Sequence, residues 1–155
     1  LIKQSLNLIE NRNRVEIKPL KEKEIKDLLS PKPLPSSDQV LLEKVVRLIN
    51  ENISNPNLNV DFLSKNIGVS RVQLYRKLKE LSDQSPSDFI KTIRIKQAAE
   101  LLANQKVQIS EVAYAVGFSN LSHFSNSFKE FYGISPTEYI ENVKNVKNNK
   151  TDYAD

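Results

Sequence analysis

The chain has 155 residues, a formal net charge of +4 at pH 7, three glycines and no cysteine. Without cysteine it can form neither a disulfide nor a thiolate metal site. No apolar run approaches the roughly 20 residues of a membrane span, and nothing has the pattern of a signal peptide. Plentiful aliphatic residues and scarce glycine favour an all-α fold. The sequence starts at Leu1 without a methionine, so we expect a piece of a longer protein.

The first 37 residues differ from the rest of the chain. Residues 1–9 have the spacing of a short amphipathic helix, and Pro31, Pro33 and Pro35 favour an extended linker. We therefore expect residues 1–37 to be an appendage and residues 38–143 to form the domain. The polar residues 144–155 should fray as a tail. Deleting residues 1–36 should then leave the melting temperature nearly unchanged.

Seven helices are predicted from residue 37 onward. Ser37 or Asp38 caps the first, which carries an apolar stripe. Ser70 and Gln73 form a capping box that starts the third. The other helices are expected over residues 59–66, 85–103, 109–116 and 120–132, and from residue 135 onward.

An internal repeat is the most informative feature of the sequence. Residues 63–68 resemble residues 112–117 at an offset of 49, and residues 74–90 resemble residues 124–140 at an offset of 50. Each copy consists of a short helix, a tight turn through glycine and a second helix. This is the geometry of a helix-turn-helix, although glycine-joined helical pairs also occur in proteins that bind no DNA.

We therefore expect two helix-turn-helix units, at about residues 59–82 and 108–132, joined by a connecting helix over residues 85–103. A helix of nineteen residues from 85 to 103 is roughly 28 Å long. Successive major-groove faces on one side of B-DNA are ~34 Å apart. One chain is therefore long enough to reach two adjacent grooves.

The second helix of each unit has a polar outer face. If the apolar side chains point inward, the inward residues are Leu74, Leu78 and Leu81 in one unit and Phe124, Phe128 and Phe131 in the other. The outward residues of the first unit are then Val72, Arg76 and Lys79, with Tyr75 on the shoulder. Those of the second are Ser122, Asn126 and Lys129, with Ser125 on the shoulder.

These outward side chains suit the reading of DNA. Arginine binds guanine, asparagine binds adenine, serine binds donors or acceptors, and an apolar side chain contacts the thymine methyl. We assign base contacts to Val72, Tyr75, Arg76, Ser122, Ser125 and Asn126. We assign phosphate contacts to Arg71, Lys79, His123 and Lys129. A solvated polar face is the alternative for any one of them. Residues 38–143 hold twelve basic and twelve acidic side chains, but residues 71–96 hold seven basic and three acidic ones.

Several of these segments resemble a known family. Residues 108–118, followed by Phe124, Phe128, Lys129 and Gly133, are similar to the signature of the AraC/XylS transcription regulators. Residues 70–78 and 94–102 resemble that family's first recognition helix and connecting helix. The resemblance implies a seven-helix, two-lobed domain acting on promoter DNA, with RNA polymerase as a further candidate partner. The chain departs from the usual family pattern at Asn126 and Ile140.

A second resemblance concerns the start of the chain. Residues 1–14 are similar to the last helix of a response-regulator receiver and its tail. A receiver followed by an AraC-type output domain resembles the hybrid two-component sensors of Bacteroidetes. That arrangement implies control by phosphorylation of an upstream aspartate, dimerisation of the full-length protein, and a cytoplasmic output domain that does not contact the membrane.

Two other classes of protein were weighed. An enzyme needs a nucleophile, a base or a metal, but the single histidine is His123 and no glycine-rich loop can bind phosphate. We expect no cofactor and no metal. A helical protein-interaction module would carry acidic or bulky side chains on both outer faces, and Arg76, Lys79 and Lys129 argue against it.

Overall fold

The computed structural model describes residues 15, 17–29, 36–104 and 106–152. Within them all regular structure is α-helical, as predicted. The helices are α1 (Glu22–Asp27), α2 (Ser36–Glu51), α3 (Val60–Ile67), α4 (Arg71–Ser82), α5 (Pro86–Asn104), α6 (Ile109–Ala115), α7 (Leu121–Tyr132) and α8 (Pro136–Asp152). The seven predicted helices are α2 to α8. The predicted helix over residues 1–9 and the prolines of the linker lie outside the described residues.

Side-chain caps begin α3, α4 and α7 at the predicted starts of these helices. The predicted cap of α2 at Ser37 or Asp38 is wrong, because that helix already begins at Ser36 and contains both residues. The Ser70 hydroxyl accepts from the Gln73 amide, and the Gln73 side chain accepts from the Ser70 amide, both at 3.1 Å. Asn59 and Asn120 accept from amides three residues ahead and cap α3 and α7. Each such cap contributes about 1 kcal/mol to helix stability. Local chemistry therefore defines both helix-turn-helix units.

The connecting helix α5 lies at the centre of the fold. It packs against α4 of the first helix-turn-helix unit and against α6, α7 and α8. Its buried side chains surround the helix axis, which is typical of a helix enclosed by its neighbours. We call α2 to α4 lobe 1 and α6 to α8 lobe 2. One continuous hydrophobic core runs through both lobes and α5.

The start of the chain packs differently from the sequence-based expectation. Leu20 and Leu28 are 7% and 8% exposed and belong to the hydrophobic core. Ile25 and Leu29 line a groove together with Leu42 and other residues of α2. The prediction that residues 1–37 form a separate appendage is therefore wrong for residues 17–29. A helix outside the predicted domain becomes part of the core when its apolar face packs against another apolar surface.

The end of the chain also differs. Helix α8 continues to Asp152, beyond the predicted end of the domain at Val143. No glycine or proline follows Pro136, so nothing in the sequence interrupts the helix. Lys147 Nζ donates to the Ala103 carbonyl at 2.8 Å, near the end of α5. No helix of the described ranges is both long and apolar enough to span a bilayer.

Candidate nucleic-acid interface

Helices α4 and α7 occupy equivalent places in two helix-turn-helix units. In lobe 1, α3 ends at Ile67, the left-handed Gly68 makes the turn with φ 84°, and α4 starts at Arg71. In lobe 2, α6 ends at Ala115 and α7 starts at Leu121, so the second turn is longer. Both second helices leave one long face uncovered by the rest of the fold.

Helix α4 is rotated as the sequence predicts. Leu74, Leu78 and Leu81 are 0%, 1% and 7% exposed. The predicted outward residues are exposed: Val72, Tyr75, Arg76 and Lys79. Val72 is 76% exposed, which is unusual for a large aliphatic side chain with no partner. The face therefore combines an apolar, an aromatic and two cationic groups on one accessible surface.

Helix α7 matches its predicted rotation in part. Phe124 and Phe128 are fully buried, while Ser122, Asn126 and Lys129 are exposed and Ser125 is half-buried. Phe131 is 43% exposed, so its predicted inward placement is wrong. Periodicity gives the angle of a side chain around the helix axis but not the point along the axis where the core ends. Phe131 lies past that point, at the rim of a cleft beside α5.

An aromatic cluster supports α7 from behind. The ring centroid of Phe128 is 4.8 Å from that of Tyr132 and 5.4 Å from that of Tyr139, which lies on α8. Burial raises the pKa of Tyr132 to about 12, and nearby Tyr139, Glu100 and Glu24 contribute to the rise. The cluster fixes α7 on α8, so the outward face of α7 is held on a rigid base.

Two of the predicted phosphate contacts form ion pairs within the free chain. Arg71 Nε lies 2.9 Å from Asp61 Oδ1, which joins α4 to α3. Lys79 Nζ donates to the Asp83 carbonyl at 3.3 Å and lies 3.9 Å from the carboxylate of the same residue. Exposed pairs of this kind contribute little to stability. Both cations can therefore exchange their partner for another anion at small cost.

The remaining predicted phosphate contacts are on α7. His123 is exposed, and its ring centroid is 5.5 Å from that of Phe118. It lines a cleft of about 390 Å³ that also contains Lys91 and Arg94 of α5. Lys129 is exposed in the last turn of the helix. Lys129 therefore adds a positive charge at the end of α7, and Lys91 and Arg94 add positive charge to the cleft that His123 lines.

Leu121 is not among the predicted DNA contacts, although the structure places it at the start of α7 with 40% of its surface exposed. At the repeat offset of 50, Leu121 is the equivalent of Arg71, so the internal repeat could have identified Leu121 as a candidate contact at the start of its helix. Gln73 is exposed too, but its side chain is engaged in the capping box. Across the described ranges, no group of three or more His, Asp or Glu side chains can hold a metal ion.

Comparison with known sequences gives related proteins. A profile described as a helix-turn-helix domain matches residues 63–142. Histidine kinase P4 of Formosa agariphila is 35% identical over 133 residues, which are 86% of this chain and 10% of that protein. The chain therefore spans about a tenth of the length of that curated relative.

Solved structures agree with the sequence matches. An AraC-type transcriptional regulator from Chromobacterium violaceum superimposes with a TM-score of 0.65 and 30% identity, covering 70% of this chain and 96% of that one. The DNA-binding domain of AdpA, a global transcriptional factor in complex with a target DNA, has a TM-score of 0.59 and 27% identity, with 65% and 89% covered. The helix-turn-helix match covers more than half of the chain. The chain therefore belongs to the AraC-type family of helix-turn-helix transcription regulators.

Proposed function

We propose that the chain binds specific sequences of double-stranded promoter DNA by inserting α4 and α7 into adjacent major grooves. The observation that carries the proposal is the pair of equivalent, exposed helix faces on α4 and α7, the two helices of the lobes that α5 connects. That helix has 19 residues and is therefore roughly 28 Å long. The likeness to the AdpA domain, which is in complex with DNA, supports the same function.

The base-reading residues are proposed from their exposure and chemistry. On α4, Arg76 is placed to bind guanine, Tyr75 adds an aromatic surface and Val72 suits a thymine methyl group. On α7, the Asn126 amide suits adenine. The Ser122 and Ser125 hydroxyls bind a donor or an acceptor. The apolar Val72 gains a partner only when a groove covers it, which favours a complex over a solvated face.

The phosphate contacts are proposed for Arg71, Lys79, His123 and Lys129. When the chain binds DNA, Arg71 and Lys79 exchange their weak ion pairs with Asp61 and Asp83 for contacts with the more highly charged phosphate backbone. Contacts of this kind fix the position of the domain on DNA without reading sequence. We therefore expect them to control affinity more than specificity.

The test is a binding measurement by fluorescence anisotropy over a range of salt concentrations. Duplexes selected from a random library by the unmodified chain provide the preferred site, and a scrambled duplex of equal length is the control. The logarithm of the binding constant should fall linearly with the logarithm of salt concentration, with a slope of about −0.9 per phosphate contact. A slope near zero would contradict the proposal and favour a protein-interaction module.

For the full-length protein, we further propose control by phosphorylation of an upstream receiver, with dimerisation on DNA and recruitment of RNA polymerase in the cytoplasm. The relationship to a histidine kinase supports this part. Treating the full-length protein with acetyl phosphate should increase both its dimer fraction and its occupancy of the selected duplex. Equal occupancy with and without acetyl phosphate would contradict it.

A further inference from the structure

Contacts made by α5 determine how the two lobes are oriented. The extensive helix contacts between lobes run through α5, which packs on α4 and on α6, α7 and α8. A side chain in the middle of α5 that binds both lobes would therefore have a large effect on the angle between the recognition helices. Arg94 is such a side chain.

Arg94 is hydrogen-bonded to the lobe 1 side. Its Nη2 donates to the Asn55 carbonyl at 2.7 Å, in the loop between α2 and α3. One turn further along α5, Gln97 Nε2 donates to Asn50 Oδ1 at 3.3 Å. Together these two bonds hold α5 to the end of α2 and the loop that follows it.

The same guanidinium packs against the turn of lobe 2. A Cβ atom added to Gly117 would lie 2.8 Å from both Cζ and Nε of Arg94 and would also collide with the Ile53 carbonyl. Gly117 itself has a φ of 95° and is buried. The glycine turn that leads to α7 therefore rests directly on an arginine that is hydrogen-bonded to lobe 1.

A charged arginine at this partly buried position carries a free-energy penalty. Burial lowers its pKa from the ordinary value. Its Nε is buried and has no hydrogen-bond partner among the described residues. An apolar side chain of similar volume avoids such a penalty, and a buried polar group that persists in spite of it fits a role in selecting one arrangement.

We propose that Arg94 is a positioning residue that holds the two recognition helices at one separation and angle, and thereby selects the spacing of the two DNA elements that the chain binds. The DNA part of this inference rests on the proposed function. The orientation part applies to the free protein as well. Arg94 itself is not expected to touch a base.

The DNA test compares Arg94→Gln with a matched control, Arg47→Gln, whose side chain is 67% exposed on α2. One base pair is inserted between the two elements of the selected duplex, which rotates the second element by about 34° and moves it by about 3.4 Å. The unmodified chain and the control should lose at least about tenfold in affinity on insertion. Arg94→Gln should bind the original duplex about tenfold more weakly and lose less than about threefold on insertion.

A third duplex, which carries only the lobe 1 element, distinguishes unfolding of the variant from loss of positioning. Arg94→Gln should bind this duplex as tightly as the unmodified chain does. If Arg94→Gln unfolds, Arg94→Lys replaces it, because lysine keeps the charge but lacks the planar group that packs on Gly117. An unchanged spacing dependence in the folded variant would overturn the proposal.

The orientation test needs no DNA. The chain has no cysteine, so Lys65→Cys on lobe 1 and Glu141→Cys on lobe 2 can carry two spin labels at exposed positions. The spin–spin distance distribution should be narrow in the labelled parent and in Arg47→Gln, and broader or displaced in Arg94→Gln. An unchanged distribution refutes the inference even if the chain binds DNA. If the parent binds no duplex, the proposed function fails and this distribution alone decides the role of Arg94.

Discussion

Replacing Gly117 by alanine should destabilise the fold more than the same change at the other two glycines. The values of φ are 84° at Gly68, 95° at Gly117 and 79° at Gly133, so each alanine carries a backbone strain of about 1–2 kcal/mol. Nothing lies within 4 Å of a Cβ added at Gly68 or Gly133, whereas at Gly117 it meets Ile53 and Arg94. Overpacking of this kind adds about 1–3 kcal/mol. The expected loss at Gly117 is therefore about 2–5 kcal/mol.

The assay is urea denaturation followed by circular dichroism at 222 nm. With a dependence on urea of about 2 kcal/mol per molar, the midpoint should fall by about 1–2.5 M for Gly117→Ala and by about 0.5–1 M for Gly68→Ala and Gly133→Ala. The two latter variants are matched controls, because they change the same backbone property without the collision. Equal midpoints for all three variants would show that the turn moves off Arg94 without cost, and the reasoning would be refuted.

Three further outcomes are expected. Leu28→Ala should lower the free energy of unfolding by about 2 kcal/mol in urea denaturation, because Leu28 is buried in the core; no loss would restore the appendage prediction. Burial raises the pKa of Tyr132, so the contribution of its neutral hydroxyl to the free energy of unfolding should be fully present below about pH 10 and decline as pH rises toward 12. Tyr132→Phe should flatten that decline in alkaline thermal melts, and an identical decline would argue against the assignment. Arg76→Ala should cost about 1–3 kcal/mol on the selected duplex and relax specificity at one or two base pairs, whereas Lys79→Ala should weaken all duplexes equally and reduce the salt slope by roughly one. The reverse pattern would mean that α4 enters the groove in another rotation.

Helix boundaries were predictable because their causes are local. The cap at Ser70 needs only Gln73 three residues ahead, and both hydrogen bonds are present. The turn at Gly68 needs a residue that tolerates positive φ. The outward placement of Arg76 follows from the leucine spacing of α4. These features depend on neighbours within about one helical turn, so the spacing of residues in the sequence is enough to predict them.

The misjudged features depend on contacts between distant parts of the chain. The sequence around α1 does not show that Leu20 and Leu28 reach the core, because the rest of that core comes from other parts of the chain. Nor does the phenylalanine spacing of α7 show that Phe131 lies past the edge of the core. Helical periodicity describes one helix at a time, whereas burial depends on where the neighbouring helices end.

Sequence by itself therefore determined the helical fold, the two repeated helix-turn-helix units and the residues on their outer faces, since these follow from local spacing, caps and turns. Tertiary structure alone decided how the two units are oriented relative to each other. Arg94 and Gly117 are 23 positions apart, and Arg94 and Asn55 are 39 apart. No periodicity connects residues at such separations. Their contact is produced by the packing of α5 between the lobes, which sets the angle at which α4 and α7 face outward.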